Sequence, residues 1–239
     1  MFRRRPRARR SGQAAVAILL AGLVALLGTD AGATPQSTAA AQTVAVPQAV
    51  AATRYVYLSF DDGPHPRYTA QILDILRAYG VRATFFEVGQ NIASYSYLTR
   101  RAHLRGHSVQ NHTWSHPNLR NVSWAGFKYQ VLNTDKYIRA QTGYTPRCLR
   151  PPYGAVDSLV RLRAGALGKT IRLWTVDPRD WSRPGTSVIA SRVLANVRSG
   201  SIVLLHDGGG NRSQTVAALP TILRTLKARG YVFYRLWCS

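Results

Sequence analysis

The stretch Tyr55–Pro66, YVYLSFDDGPHP, decides how this chain folds. Its first six residues are mostly aromatic, β-branched or apolar, the composition of a buried strand. The run stops at two adjacent acids, Asp61 and Asp62, and Gly63-Pro64 then forces a turn. The rest of the chain keeps this rhythm of strand and helix. YTAQILDILRAYG carries Ile72, Leu73, Ile75, Leu76 and Tyr79 at helical spacing and ends at Gly80. A strand is expected over ATFFEVG, a short helix over SYLTRRAHLRG, a strand over HSVQNH and a long helix over WAGFKYQVLNTDKYIRAQTG. CLRPPYG then reads as a short strand, SLVRLRAGALG as a helix and TIRLWTV as a strand. SVIASRVLANVRSG (helix), SIVLLHD (strand), TVAALPTILRTLKARG (helix) and YVFYRLW (strand) complete the chain. This alternation predicts an α/β fold with a mostly parallel sheet, open or closed as a barrel, with its chemistry at the C-terminal strand ends.

The 239 residues, 46% of them hydrophobic, suffice for one good core. Residues 3–10 hold six arginines, Ala14–Leu27 is an unbroken apolar or small run, and AGA ends at Ala33. That order of basic, apolar and small residues reads as an export signal over 1–33. The apolar run is shorter than the ~20 residues of a spanning helix, and an uncleaved signal anchor is the alternative. Residues 34–53, rich in Ala, Thr, Gln, Val and Pro, read as a flexible tether, leaving 54–239 as the folded domain. The expected product is secreted or cell-wall associated, or anchored to the membrane by its signal. The formal net charge is +22. Removing residues 1–33 takes six arginines and Asp30, leaving 26 basic and nine acidic residues, a net +17. Such a body favours an anionic partner. No RNA-recognition or helix-turn-helix signature is present, so a wall or envelope surface is expected rather than nucleic acid. No oligomer interface is legible, and a monomer is expected. In an oxidising compartment Cys148 and Cys238 suggest one disulfide, two buried thiols being the alternative.

Five of the nine remaining acids fall just after expected strands: Asp61, Asp62, Asp177, Asp180 and Asp207. So do His112, His116, Arg150 and His206. His112 and His116 are four residues apart, close enough to aim at one ion. Asp62 would complete a His-His-carboxylate set open to water. Oxygen-only ligation for Ca²⁺ or Mg²⁺ would need more carboxylates than this chain has. Neighbouring residues of an extended chain point different ways, so Asp61 could take a proton from water while Asp62 binds the ion. An exposed Asp-Gly turn is the simpler reading of Asp61–Gly63 taken alone. His65, His103 and His107 read as structural or surface residues. GGGN at 208–211 lacks the Gly-Lys-Ser/Thr ending of a phosphate loop.

In order along the chain, SFDDG, HTWSH, RPPYG, DPRDW and LLHD resemble the motifs of the polysaccharide deacetylase family, carbohydrate esterase family four. The resemblance spans about Arg54 to Ser239. It implies a distorted (β/α) barrel and one divalent metal, Zn²⁺ or a related transition ion such as Co²⁺. By the same resemblance Asp62, His112 and His116 bind the metal, Asp61 is the general base and His206 the general acid. Arg150 would hold Asp61, Asp180 with Asp177 would orient His206, and the Tyr153 N–H would stabilise the oxyanion. Trp181 and Leu204 would line the acetyl pocket. The implied activity is removal of N-acetyl groups from N-acetylglucosamine polymers, peptidoglycan first and chitin oligomers second. Acetylxylan O-deacetylation and a non-catalytic carbohydrate-binding relic are the rivals. Ser59 and Gln110 depart from the family's commoner Thr and Gly.

Overall fold

β1 (Arg54–Gly63) organises the molecule by having two different faces. Val56, Leu58 and Phe60 are fully buried in the main apolar core. They pack there with Ile72, Leu73 and Leu76 of α1 (Tyr68–Ala78), Ile189 and Val193 of α5 (Thr186–Asn196), and Leu219 and Leu223 of α6 (Ser213–Ala228). The alternate residues Tyr57, Ser59 and Asp61 face the barrel interior, as the period of two requires. The computed structural model describes residues 53–238. The expected export signal (1–33) and all but the last residue of the expected tether (34–53) lie outside the described residues.

Six further strands join β1: β2 (Thr84–Glu87), β3 (Ser108–Asn111), β4 (Cys148–Leu149), β5 (Thr170–Ile171), β6 (Ser201–His206) and β7 (Tyr231–Tyr234). Every registered pair is parallel, in the order β5-β4-β3-β2-β1-β6. β7 pairs with Arg54–Tyr57 at the N-terminal half of β1, and β2 with Ser59–Gly63 at the C-terminal half. The remaining helices, α2 (Gly89–Leu104), α3 (Trp124–Thr142) and α4 (Ser158–Ala166), complete the alternation. A second apolar cluster, including Phe127, Val131, Leu149 and Val160, seats α3 and α4 on β4. The result is a single domain whose parallel sheet curls into a distorted (β/α) barrel. No helix among the described residues is long and apolar enough to cross a membrane.

The structure differs from the expected elements in three places. The strand over TIRLWTV is realised only as Thr170–Ile171. Beyond it, the carbonyls of Arg172 and Leu173 accept hydrogen bonds from the Arg150 guanidinium at 2.9 and 3.1 Å instead of joining a ladder. The segment then reaches β6 through a Val176–Val203 bridge, which closes the curl. The short helix over SYLTRRAHLRG begins at Gly89, with a break at Tyr95 (φ −134°, ψ 40°). Its early start is fixed by the Gly89 and Gln90 amides, which donate to the carbonyls of Thr113 and Trp114.

The last strand stops at Tyr234 because the chain turns in to seal the barrel floor. The Leu236 amide donates to Thr84 Oγ1 at 2.7 Å. Its side chain is buried against Phe86, Cys148 and Cys238. Cys148 and Cys238 are disulfide-bonded across 90 residues of sequence. Replacing both cysteines by alanine should lower the unfolding free energy by about 2–4 kcal/mol. Urea unfolding checks this, and an unchanged midpoint would mean that the crosslink contributes nothing.

Candidate active site

The strands deliver the reactive side chains to one end of the barrel. Asp61 sits opposite His206 in the β1–β6 register, and the loops after β3, β4 and the Arg172–Val176 crossing supply the rest. Together they line a cavity of about 440 Å³ that includes Asp61, Asp62, His112, His116, Tyr153 and His206. Trp174, Asp177, Trp181 and Leu204 complete its wall.

Asp62, His112 and His116 each offer one ligand atom, all within 4.8 Å of one another. The Nε2 atoms of His112 and His116 lie 3.4 and 3.2 Å from Asp62 Oδ1. That oxygen is buried and has no hydrogen-bond donor. Burial works against the charged Asp62 carboxylate, but the two imidazoles outweigh it and hold its pKa well below the usual range. His112 Nδ1 lies 2.6 Å from the Arg150 carbonyl, so it carries the proton and Nε2 is left to ligate. Two imidazole nitrogens beside an orphaned carboxylate oxygen suit a borderline divalent cation, and the residues present fit one.

The backbone here is strained. Asp62, Thr113, His116 and Tyr153 all have positive φ, between 59° and 73°. Such conformations cost of order 1–3 kcal/mol each for side chains of this kind. They are held by hydrogen bonds that surround them. Asn91 Nδ2 donates to the Asp62 carbonyl at 2.8 Å, and the Thr113 amide donates to Asn111 Oδ1 at 2.8 Å. Asn111 in turn binds Asp135, which is ion-paired with Lys169 at 2.5 Å.

Asp61 is 3% exposed and is gripped by Arg150, whose Nη1 donates to Asp61 Oδ1 at 2.6 Å. The other carboxylate oxygen lies 3.8 Å from His112 Nε2. Arg150 is itself fully buried. Its guanidinium also donates to Ser59 Oγ at 2.8 Å and stacks on the Phe86 ring at 3.9 Å. Removing this cation by Arg150→Met strands a buried carboxylate, so stability should fall by about 3–5 kcal/mol. Chemical denaturation checks this, and a loss under 1 kcal/mol would show that Asp61 is solvated some other way.

His206 Nδ1 lies 2.7 Å from Asp180 Oδ1, and its backbone amide donates to Asp180 Oδ2 at 2.9 Å. Thr215 Oγ1 donates to the same Asp180 oxygen at 2.7 Å. Burial disfavours the His206 cation, but Asp180, helped by Asp61 and Asp62, raises its pKa to about 9. The raised value means the protonated pair stabilises the fold fully below about 6.5, the ordinary histidine value, and loses that contribution as pH rises through about 9. Asp180→Asn should bring the His206 ring titration, followed by NMR, down from about 9 toward 6.5. A midpoint that stays put would assign the shift to other groups.

The structure separates the two acids of DPRDW. Asp180 holds His206, whereas Asp177 is exposed, lines the cavity and accepts from the Arg179 amide at 2.7 Å. Tyr153 is 70% exposed, with its ring 4.7 Å from that of His116. Trp181 is half exposed and Leu204 buried at the cavity wall. The other histidines are used elsewhere. His107 Nδ1 accepts from the Ala83 amide, His65 Nδ1 from the amides of Arg67 and Tyr68, and the His103 ring tilts onto Tyr144.

Several residues of the site have no role that the sequence assigns. Ser59 touches Arg150, Asn91 supports the Asp62 turn, and Trp174 lines the cavity. Glu87 and Asp207 are fully buried beneath the turn, where burial pushes their carboxyls up to about 8 and about 7. Glu87 lies outside every motif, whereas Asp207 ends LLHD and counts among the acids that follow strands.

Residues 49–171 match the family model for polysaccharide deacetylase. That span takes in Asp61, Asp62, His112, His116, Arg150 and Tyr153. A peptidoglycan-N-acetylglucosamine deacetylase of Bacillus cereus is 42% identical over 182 residues, covering 75% of this chain and 85% of the relative. A chitooligosaccharide deacetylase of a Bradyrhizobium species is 41% identical over 199 residues, covering 78% and 91%. A crystal structure of a peptidoglycan N-acetylglucosamine deacetylase superposes with a TM-score of 0.74 at 36% identity, covering 76% of this chain and 86% of that one.

Proposed function

The chain belongs to the polysaccharide deacetylase family, and we propose that it hydrolyses N-acetyl groups from N-acetylglucosamine polymers, peptidoglycan first and chitin oligomers second. One observation carries the reading. A single cavity joins a three-residue cation site to a buried carboxylate–arginine pair and a histidine–carboxylate pair. Relatives bearing both substrate names and the basic body of the chain support the choice of polymers.

Asp62, His112 and His116 hold the metal, and the nitrogen-rich donor set favours Zn²⁺ over hard cations. When bound, the ion supplies Lewis acidity, polarising the amide carbonyl and making water acidic. Asp61, presented by Arg150, takes the proton of the attacking water. The Tyr153 N–H meets the negative charge that grows on the carbonyl oxygen, a role for which a backbone donor is worth about 3–4 kcal/mol. An amine leaves poorly unless protonated. His206 is charged at neutral pH through Asp180 and delivers that proton. Asp177 at the rim meets the sugar rather than His206. Leu204 and Trp181 receive the acetyl methyl.

Acetate release tests this on peptidoglycan, chitotetraose and acetylated xylan, each with and without a chelator and with Asp61→Asn as the blank. The expected result is chelator-sensitive acetate from the N-acetylglucosamine substrates, restored by Zn²⁺. Asp61→Asn should lower the rate by about 10²–10⁴-fold. Acetate from xylan alone would make the protein an esterase. No acetate from any substrate with Zn²⁺ restored would leave a glycan-binding relic.

A further inference from the structure

The barrel floor, at the end opposite the reactive cavity, carries a second group of exposed aromatic and cationic side chains. Trp237 is 51% exposed and Tyr234 50%. Trp237 is held from both sides. Leu236 before it is buried and bonded to Thr84, and Cys238 after it is disulfide-bonded to Cys148. Tyr144 lies 5.8 Å from its ring, and the Arg235 guanidinium lies over it at 4.8 Å. Its indole is therefore fixed in place while half its surface faces solvent. Packing does not require that exposure, and a rigid aromatic presented this way lowers the entropy cost of binding.

Trp237 borders two cavities, of about 310 and 420 Å³. Arg147 stands at the first, and Arg172, Arg235 and Tyr234 at the second. No Asp or Glu lines either one. Neither Arg147 nor Arg172 has an acidic partner among the described residues. Two needs are met side by side. The apolar C–H face of a pyranose ring suits an aromatic surface, and a carboxylate suits a guanidinium. Nucleic acid also combines rings with negative charge, but its phosphate spacing calls for a continuous basic track, and here each arginine stands beside an aromatic ring.

We propose that the floor around Trp237 is a second glycan-binding site for a polymer whose sugar rings carry carboxylates. Peptidoglycan, whose sugar rings bear stem peptides that end in carboxylates or a free lactyl carboxylate where the peptide is absent, is the polymer of this kind that the deacetylase reading supplies. The identity of the polymer rests on that reading, and the chemistry of the site does not. Bound there, one strand is held at the floor while another reaches the cavity, which raises the local concentration of acetylated sites.

The test compares the full chain with Trp237→Ala, Trp237→Phe and Arg147→Ala. Binding is measured by sedimentation with purified peptidoglycan and by titration with an oligogalacturonide, which has carboxylates and no acetamide. Trp237→Ala should weaken both by roughly tenfold, the loss of one good aromatic contact. Arg147→Ala should weaken both as well, while Trp237→Phe keeps most of the affinity and controls for misfolding. The kcat/KM for acetate release from chitotetraose should stay unchanged in all three variants. Unchanged binding in Trp237→Ala would overturn the proposal. So would loss on Arg147→Ala alone, which would mark a merely basic face. A wild-type chain that releases no acetate from chitotetraose yet binds through Trp237 would fail the deacetylase reading and keep this one.

Discussion

The structure depends on one buried cation. Arg150 brings a full positive charge into the barrel interior, which is costly unless each of its nitrogens finds an acceptor. It is matched by Asp61, Ser59 Oγ and the carbonyls of Arg172 and Leu173. Each match has a structural effect. Asp61 is held in one orientation. The crossing segment is pulled off the ladder and across to β6. The Arg150 carbonyl fixes which nitrogen of His112 is free. The orientation of Asp61, the barrel closure and the His112 tautomer all follow from one residue.

Glycine permits the close approach that this requires. A Cβ at Gly208 would overlap the Asp62 carbonyl, and one at Gly209 the Asp62 carboxylate. A Cβ at Gly63 would overlap Asp207. The glycines after β6 thus let that strand's loop lie directly on the turn that presents Asp62. This explains GGGN without any phosphate. The left-handed conformations of Asp62 and His116 are the complementary cost of aiming both at one point.

The parallel α/β order was legible because strand and helix periods differ and glycines punctuate them. The reactive residues were legible because acids are scarce in this chain and cluster after strands. Three things were not. The crossing after β5 reads as a strand by composition, and only Arg150 withdraws its carbonyls from the ladder. DPRDW offers two acids, the resemblance assigns both to His206, and only the fold leaves Asp177 out. Glu87 lies in an ordinary apolar strand, ATFFEVG, and nothing local marks its carboxyl as buried beneath a charged turn. Long-range contacts made these outcomes, and local pattern does not encode them.

The floor of the barrel also depends on residues that belong to no motif. Leu236 and Cys238, which cover Phe86 and Cys148, lie beyond every reactive residue in the sequence. A chain cut before Leu236 would hold every motif of the reactive end and leave its lower interior open to water. The segment after β7 works as the seal on a vessel whose mouth is at the other end.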